Sequence, residues 1–147
     1  ERMGIDMREH MLEDRYRITA RDYATAGDAS MAVKRKLRQL GVDSEVLRRV
    51  AVASYEAELN LIIHSLGGTL SITLSPEEIR LVSEDVGPGI PDIDKALTEG
   101  FSTAGEEART LGFGAGMGLP NMRRNADDFA IVSAEGQGTV INMRFSL

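Results

Sequence analysis

Glu56 and Asn60 stand four residues apart in a stretch where Val46, Val50, Ala53, Ala57 and Leu61 recur at helical spacing, so a carboxylate and an amide oxygen leave the same helix face one turn apart. Such a pair can hold a cation and take up a proton. Magnesium prefers oxygen ligands and keeps several waters beside substrate phosphates, so one neutral amide oxygen is enough protein ligation. Asn60 is the expected metal ligand, and Glu56 the group that accepts a proton from an attacking hydroxyl or water. Glu58 faces elsewhere and is the weaker candidate for the base.

Two further clusters point to a nucleotide. Asp85-Val86-Gly87-Pro88-Gly89-Ile90 follows a strand candidate. Its glycines let the backbone approach a flat ligand, and Asp85 can accept a hydrogen bond from an exocyclic amine. A tight turn with Asp as a turn former has the same composition. Gly112-Phe113-Gly114-Ala115-Gly116-Met117-Gly118 precedes an expected helix. Alternating glycines there expose amides that can ring a phosphate at the positive end of the helix dipole. The run has neither the Rossmann spacing nor the Gly-Lys-Ser/Thr of a P-loop.

The elements that must carry these residues can be read from periodicity. Residues 1–15 mix charge with scattered Met and Leu and are expected to form a flexible or helical lead-in. Tyr16 to Tyr23 suits a first strand, Ala26 to Leu40 a helix on Ala29, Val33, Leu37 and Leu40, and Gly41 its C-cap. Asp43 or Ser44 can cap the long helix, which runs to about Ser65. Strands are expected over Thr69 to Leu74 and Glu78 to Glu84, then a short helix near Asp94 to Glu99, a long loop over 100–118, and a helix from Gly118 to about Asp128. Phe129 to Ala134 and Thr139 to Phe145 read as a closing hairpin. This order predicts an α/β two-layer sandwich, with helices on one face of a mixed, mostly antiparallel sheet.

Composition narrows the function. The 147 residues suit one domain, taken as residues 16–147. There is no Cys for disulfides or thiolate metal sites, as in many cytoplasmic proteins, and the longest apolar stretch, Leu59 to Leu66, is too short to cross a bilayer. A net charge of −6 argues against nucleic-acid binding. A polyphosphate must then be held by a metal ion, backbone amides and a few placed cations.

The three motifs in this order and at these separations resemble the GHKL ATPases, which include gyrase-type ATPases, Hsp90-type chaperones, histidine kinases and MutL-type repair proteins. EDVGPGIPDIDKALTEGFSTAG at Glu84 to Gly105, GAGMGLPNMRR at Gly114 to Arg124 and AEGQGTVI at Ala134 to Ile141 sharpen the likeness. With them, the stretch from Tyr16 to Phe145 is most similar to the small anti-sigma-factor serine/threonine kinases of bacterial partner switching, of the RsbT type. The resemblance implies a Bergerat fold in which Asn60 binds Mg²⁺, Glu56 serves as base, Asp85 recognises adenine, and Gly87 and Gly89 shape its pocket beside Ile90. It places Gly114, Gly116 and Gly118 near the phosphates of ATP or ADP, with Gly112, Met117 and Leu119 in the same binding set, and Thr139 beside Asp85.

The stretch at about 100–116 corresponds to an ATP lid, here lengthened by EEARTLGF, and Arg109 is the expected γ-phosphate contact. His64 is expected to pack, and Arg123 and Arg124 to form a solvated helix face. His10 is not expected to accept phosphate, since too little chain precedes the first strand here for a dimerising helical domain. The resemblance implies a cytoplasmic Mg-ATP-dependent serine/threonine protein kinase acting on a STAS-domain antagonist, with a sigma factor or regulatory phosphatase as further partner and a homodimer admitted. The alternatives are a weakly catalytic ATP/ADP-binding module that regulates a sigma factor or phosphatase, and a stand-alone ATPase that dimerises on lid closure.

Overall fold

The computed structural model describes residues 11–87, 90, 93–98, 118–134 and 136–147. Five strands, β1 (Leu12–Ile18), β2 (Gly68–Leu74), β3 (Glu78–Asp85), β4 (Asp128–Ala134) and β5 (Gly138–Ser146), form one sheet in the order β1-β2-β3-β5-β4. All four pairings are antiparallel. Helices α1 (Asp28–Gln39), α2 (Ser44–His64) and α4 (Gly118–Asn125) pack on the sheet, and the short α3 spans Ile93–Ala96. This is the expected two-layer sandwich.

Strict alternation fixes the covered face. Leu70, Ile72 and Leu74 on β2, Ile79 and Leu81 on β3, and Ile141, Met143 and Phe145 on β5 are buried with Val33, Leu37, Val50, Ala53, Ala57, Leu61 and Met122 from the helices. The stripe predicted on α2 is wholly buried, and Glu56 and Asn60 flank it, both half-buried. At its start, the Asp43 carboxylate accepts from the amides of Glu45 at 3.0 Å and Val46 at 3.4 Å, which settles the choice of N-cap. Gly41, at φ +81°, ends α1 with the Val42 amide on Leu37 O and its own on Arg38 O, a Schellman pattern that an L-side chain would strain.

Several boundaries differ from the sequence expectation. The first strand is Leu12–Ile18 rather than Tyr16 to Tyr23, so residues 12–15 of the expected lead-in belong to the sheet. Asp14 interrupts the apolar alternation, yet on the strand it is half-buried and ion-paired with Lys36 of α1, whose ammonium also lies 5.7 Å from the Tyr16 ring centroid. Past Ile18 the chain turns, with Arg21 at φ 64° and its amide bonded to Ile62 O at 2.9 Å. Leu40, expected on the α1 stripe, is 48% exposed because α1 has already ended. The α4 helix stops at Asn125 instead of Asp128, where β4 begins.

Candidate active site

The middle of α2 meets the start of α4. These helices run antiparallel: Arg49 Nη1 donates to Asn125 O at 3.1 Å, and two turns further along α2 the Glu56 carboxylate accepts from Asn121 Nδ2 at 3.0 Å. Each contact suits the α4 dipole, with a cation at its C-terminal end and a carboxylate at its N-terminal end. A Cβ built on Gly118 would sit 3.4 Å from Glu56 Oε1. The last glycine of the Gly112–Gly118 run and the candidate base are therefore neighbours, although 62 positions of sequence separate them. Asn60 lies one turn beyond Glu56 on α2 and is half-buried.

Glu58 does face elsewhere. It is 2% exposed, and its carboxylate accepts the amides of Gly27 at 3.0 Å, Ala29 at 3.2 Å and Ser30 at 3.0 Å. Three N–H groups at the start of α1 thus end on one side chain from α2. At the end of α2, the Arg21 guanidinium donates to the carbonyls of Ile62, at 3.0 Å, and Ile63. Burial and then this cation hold the His64 imidazole below its ordinary pKa. Those surroundings fit the packing role expected of His64.

A second cluster forms where β3 ends. Asp85 Oδ1 accepts the Thr139 amide at 2.8 Å, and Thr139, 4% exposed, shares a 2.8 Å hydrogen bond between its hydroxyl and that of Ser133. Ser133 Oγ also accepts the Ile90 amide at 2.7 Å. The loop after β3 is thereby tied to the last hairpin through side chains. Gly138 makes this approach possible: a Cβ there would lie 2.4 Å from Asp85 O and 2.8 Å from Asp85 Oδ1, at φ +93°. Gly87 borders the turn after α2, its absent Cβ 3.4 Å from Leu66 N, and Val86 exchanges backbone hydrogen bonds with Leu66 and Gly67 at 2.8 and 3.0 Å.

Desolvation raises the Asp85 pKa, opposed by the Thr139 amide. Among the described residues only Oδ1 is engaged, so Oδ2 remains an acceptor for an amine. A cavity of about 420 Å³ at this end of the sheet is lined by Ile18, Leu66, Gly67, Glu84 and Asp85 among others. Among the described residues, Asp85 is the one predicted site residue in that lining.

Of the predicted residues, Glu56 and Gly118 are brought together, as are Asp85, Thr139 and Ile90; Leu119 is buried in the core at 7% exposure. Gly89, Arg109, Gly112, Gly114, Gly116 and Met117, with the lid at 100–116, lie outside the described residues. Asn121 and Ser133 were missed by the sequence reading. A polar residue one helical turn after Gly118, and a Ser six residues before Thr139 across a glycine turn, were the available signals.

The chain is thus an α/β sandwich with both clusters on its helix-covered side, the arrangement expected of a GHKL ATPase-type domain. Residues 45–147 match the family described as histidine kinase-, DNA gyrase B-, and HSP90-like ATPase, and the chain belongs to that family. It is 33% identical over 108 residues to the serine/threonine-protein kinase RsbT of Bacillus subtilis (strain 168), covering 71% of this chain and 75% of that protein. It is 34% identical over 110 residues to the anti-sigma F factor of Thermoanaerobacter sp. (strain X514), covering 71% and 73%. The anti-sigma F factor of Bacillus licheniformis is 31% identical over 121 residues, covering 78% of this chain and 80% of that protein. A chain in the crystal structure of the SiaB–SiaC complex from Pseudomonas aeruginosa shares the fold, with a TM-score of 0.56 at 13% identity over 99% of this chain and 94% of that one. The relatives place the chain in the anti-sigma-kinase branch of the GHKL ATPases, support kinase activity, and imply ATP binding.

Proposed function

We propose that this protein is a serine/threonine protein kinase of bacterial partner switching that transfers the γ-phosphoryl group of Mg-ATP to a hydroxyl of a STAS-domain antagonist. The observation that carries the proposal is the apposition of Glu56 to Gly118 at the N-terminus of α4. The kinase among its relatives and the RsbT-like motifs support the same reading.

Asp85 would accept the adenine amine on Oδ2 while Thr139 and Gly138 hold its other oxygen in place. The first-turn amides of α4 would face the phosphates. Asn60 would hold Mg²⁺ through its amide oxygen; the ion supplies neutralisation of phosphate charge. Glu56 would take the acceptor hydroxyl's proton as that oxygen bonds to the γ-phosphorus and the bond to the β–γ bridging oxygen breaks, releasing ADP.

The anti-sigma factors among the relatives favour a second reading, in which the chain binds ATP or ADP and holds a sigma factor or a phosphatase with little catalysis. Incubation with Mg-ATP and purified STAS-domain proteins, followed by intact-mass measurement, separates the two. The kinase reading expects one acceptor heavier by a single phosphoryl group, and a Glu56→Gln variant that binds ATP but transfers roughly 100-fold more slowly or worse. Tight nucleotide binding with no phosphorylated acceptor would favour the binding module. Undiminished transfer by Glu56→Gln would remove Glu56 from the role of base.

A further inference from the structure

Asn121 sits between two charged groups in an order that fixes its amide. Its Oδ1 accepts from Arg124 Nη1 at 2.7 Å, and its Nδ2 donates to Glu56 Oε2 at 3.0 Å. The reverse amide orientation would set an oxygen against the carboxylate and an NH₂ against the guanidinium, two repulsive contacts in place of two attractive ones. The helix keeps this arrangement in register, since Asn121 O accepts from Asn125 Nδ2 at 2.8 Å while Arg49 of α2 holds Asn125 O. Asn121 is thus anchored on three sides, and Glu56 is the group it can position.

The geometry assigns Asn121 as the positioning residue of Glu56: by occupying Oε2 it fixes the carboxylate so that Oε1 stays beside Gly118, where the phosphoryl group would be transferred. This assignment rests on the reading of Glu56 as base. A glutamate side chain has three rotatable torsions, and without the amide its carboxylate would sample positions away from the acceptor. Restricting it to one orientation is the kind of pre-alignment whose loss costs rate rather than substrate affinity. The sequence offered Asn121 only as a polar residue in GLPNMRR, next to the two arginines assigned to a solvated face. The structure gives one of those arginines, Arg124, a role in locking the amide.

The test is a double-mutant cycle with Asn121→Ala, Glu56→Gln and their combination, read as phosphoryl transfer to a purified STAS-domain acceptor, with the variants Asn121→Asp and Asn121→Gln alongside. Asn121→Ala should lower kcat roughly tenfold to a hundredfold, with ATP affinity and melting temperature near those of the wild type, and should cost nothing further in the Glu56→Gln background. Asn121→Asp keeps the shape but loses the donor, so it should be at least as slow. Asn121→Gln, which restores a donor, should recover part of the rate. An equal loss in both backgrounds, or full activity in Asn121→Asp, overturns the assignment.

A second readout needs no acceptor. The side-chain NH₂ resonances of Asn121 should move in the Glu56→Gln protein, and an unchanged position shows that the two groups do not pair. Full transfer by Glu56→Gln would instead sink the base reading itself. An inactive Asn121→Ala beside a shifted resonance and an inactive Glu56→Gln supports both.

Discussion

Asp85 is an acid held where its ionised form is disfavoured, and that has a consequence for the protein without ligand. Desolvation is the larger influence and raises its folded pKa above the ordinary value of 3.8; the Thr139 amide pulls the other way. A carboxyl with a raised folded pKa binds its proton more tightly in the native state than in the unfolded chain. Its stabilising contribution is therefore complete below pH 3.8 and is lost as pH rises through the raised folded pKa. Asparagine keeps an oxygen for the Thr139 amide and carries no charge to desolvate. Asp85→Asn should make the nucleotide-free protein as stable as the wild type or more so at pH 7, with the gap between them narrowing as pH falls through that window. Urea unfolding between pH 3 and pH 7 measures it, and a variant that is less stable at neutral pH than at acid pH, relative to wild type, would contradict the assignment of desolvation as the larger influence.

At the scale of elements, α2 serves two neighbours in opposite ways. One half-buried flank offers Glu56 to α4, while the other sends the buried Glu58 into the first turn of α1, where three amides converge on one carboxylate. Removing a buried acceptor costs the desolvation of every donor it served, so Glu58→Ala should destabilise by about 3 kcal/mol. Glu58→Gln, which keeps one oxygen, should lose less. The denaturant midpoint checks both, and nucleotide affinity at low temperature should change little. The periodic parts of the design were legible: the α2 stripe and the alternation of β2, β3 and β5 follow from residue types and spacing, and the N-cap of α2 was narrowed to Asp43 or Ser44. The first strand was not, because Asp14 occupies a position on the covered face, where its pairing with Lys36 and a hydrogen bond from the Tyr16 hydroxyl make it tolerable. Glu58 was readable as facing away from Asn60, but not as the cap of a helix beginning 30 positions earlier, at Asp28. Tertiary pairing of polar side chains leaves no periodic mark in the sequence, and the same blindness hid Asn121 and Ser133.

For the molecule as a whole, the two clusters are distant in sequence and rest on different secondary structure, α2 with α4 in one case and β3 with the closing hairpin in the other. A ligand that touches both ties the helical layer to the sheet, so binding should appear as global stabilisation rather than as a local change. With Mg-ATP at 100 times its Kd, linkage gives about 2.7 kcal/mol. For a domain of this length that is a rise in Tm of roughly 5 to 10 °C. The variants divide the effect by cluster. Asp85→Asn should abolish the rise because the adenine would no longer be recognised, whereas Glu56→Gln should keep nearly all of it, since the proposed general base would act on the acceptor and not on nucleotide affinity. Asn60→Ala should retain a smaller rise that is the same in Mg²⁺ and in EDTA. Thermal melts of the four proteins with ATP, with and without the metal, test the division, and a full Mg²⁺-dependent rise in Asn60→Ala would exclude that residue as the metal ligand.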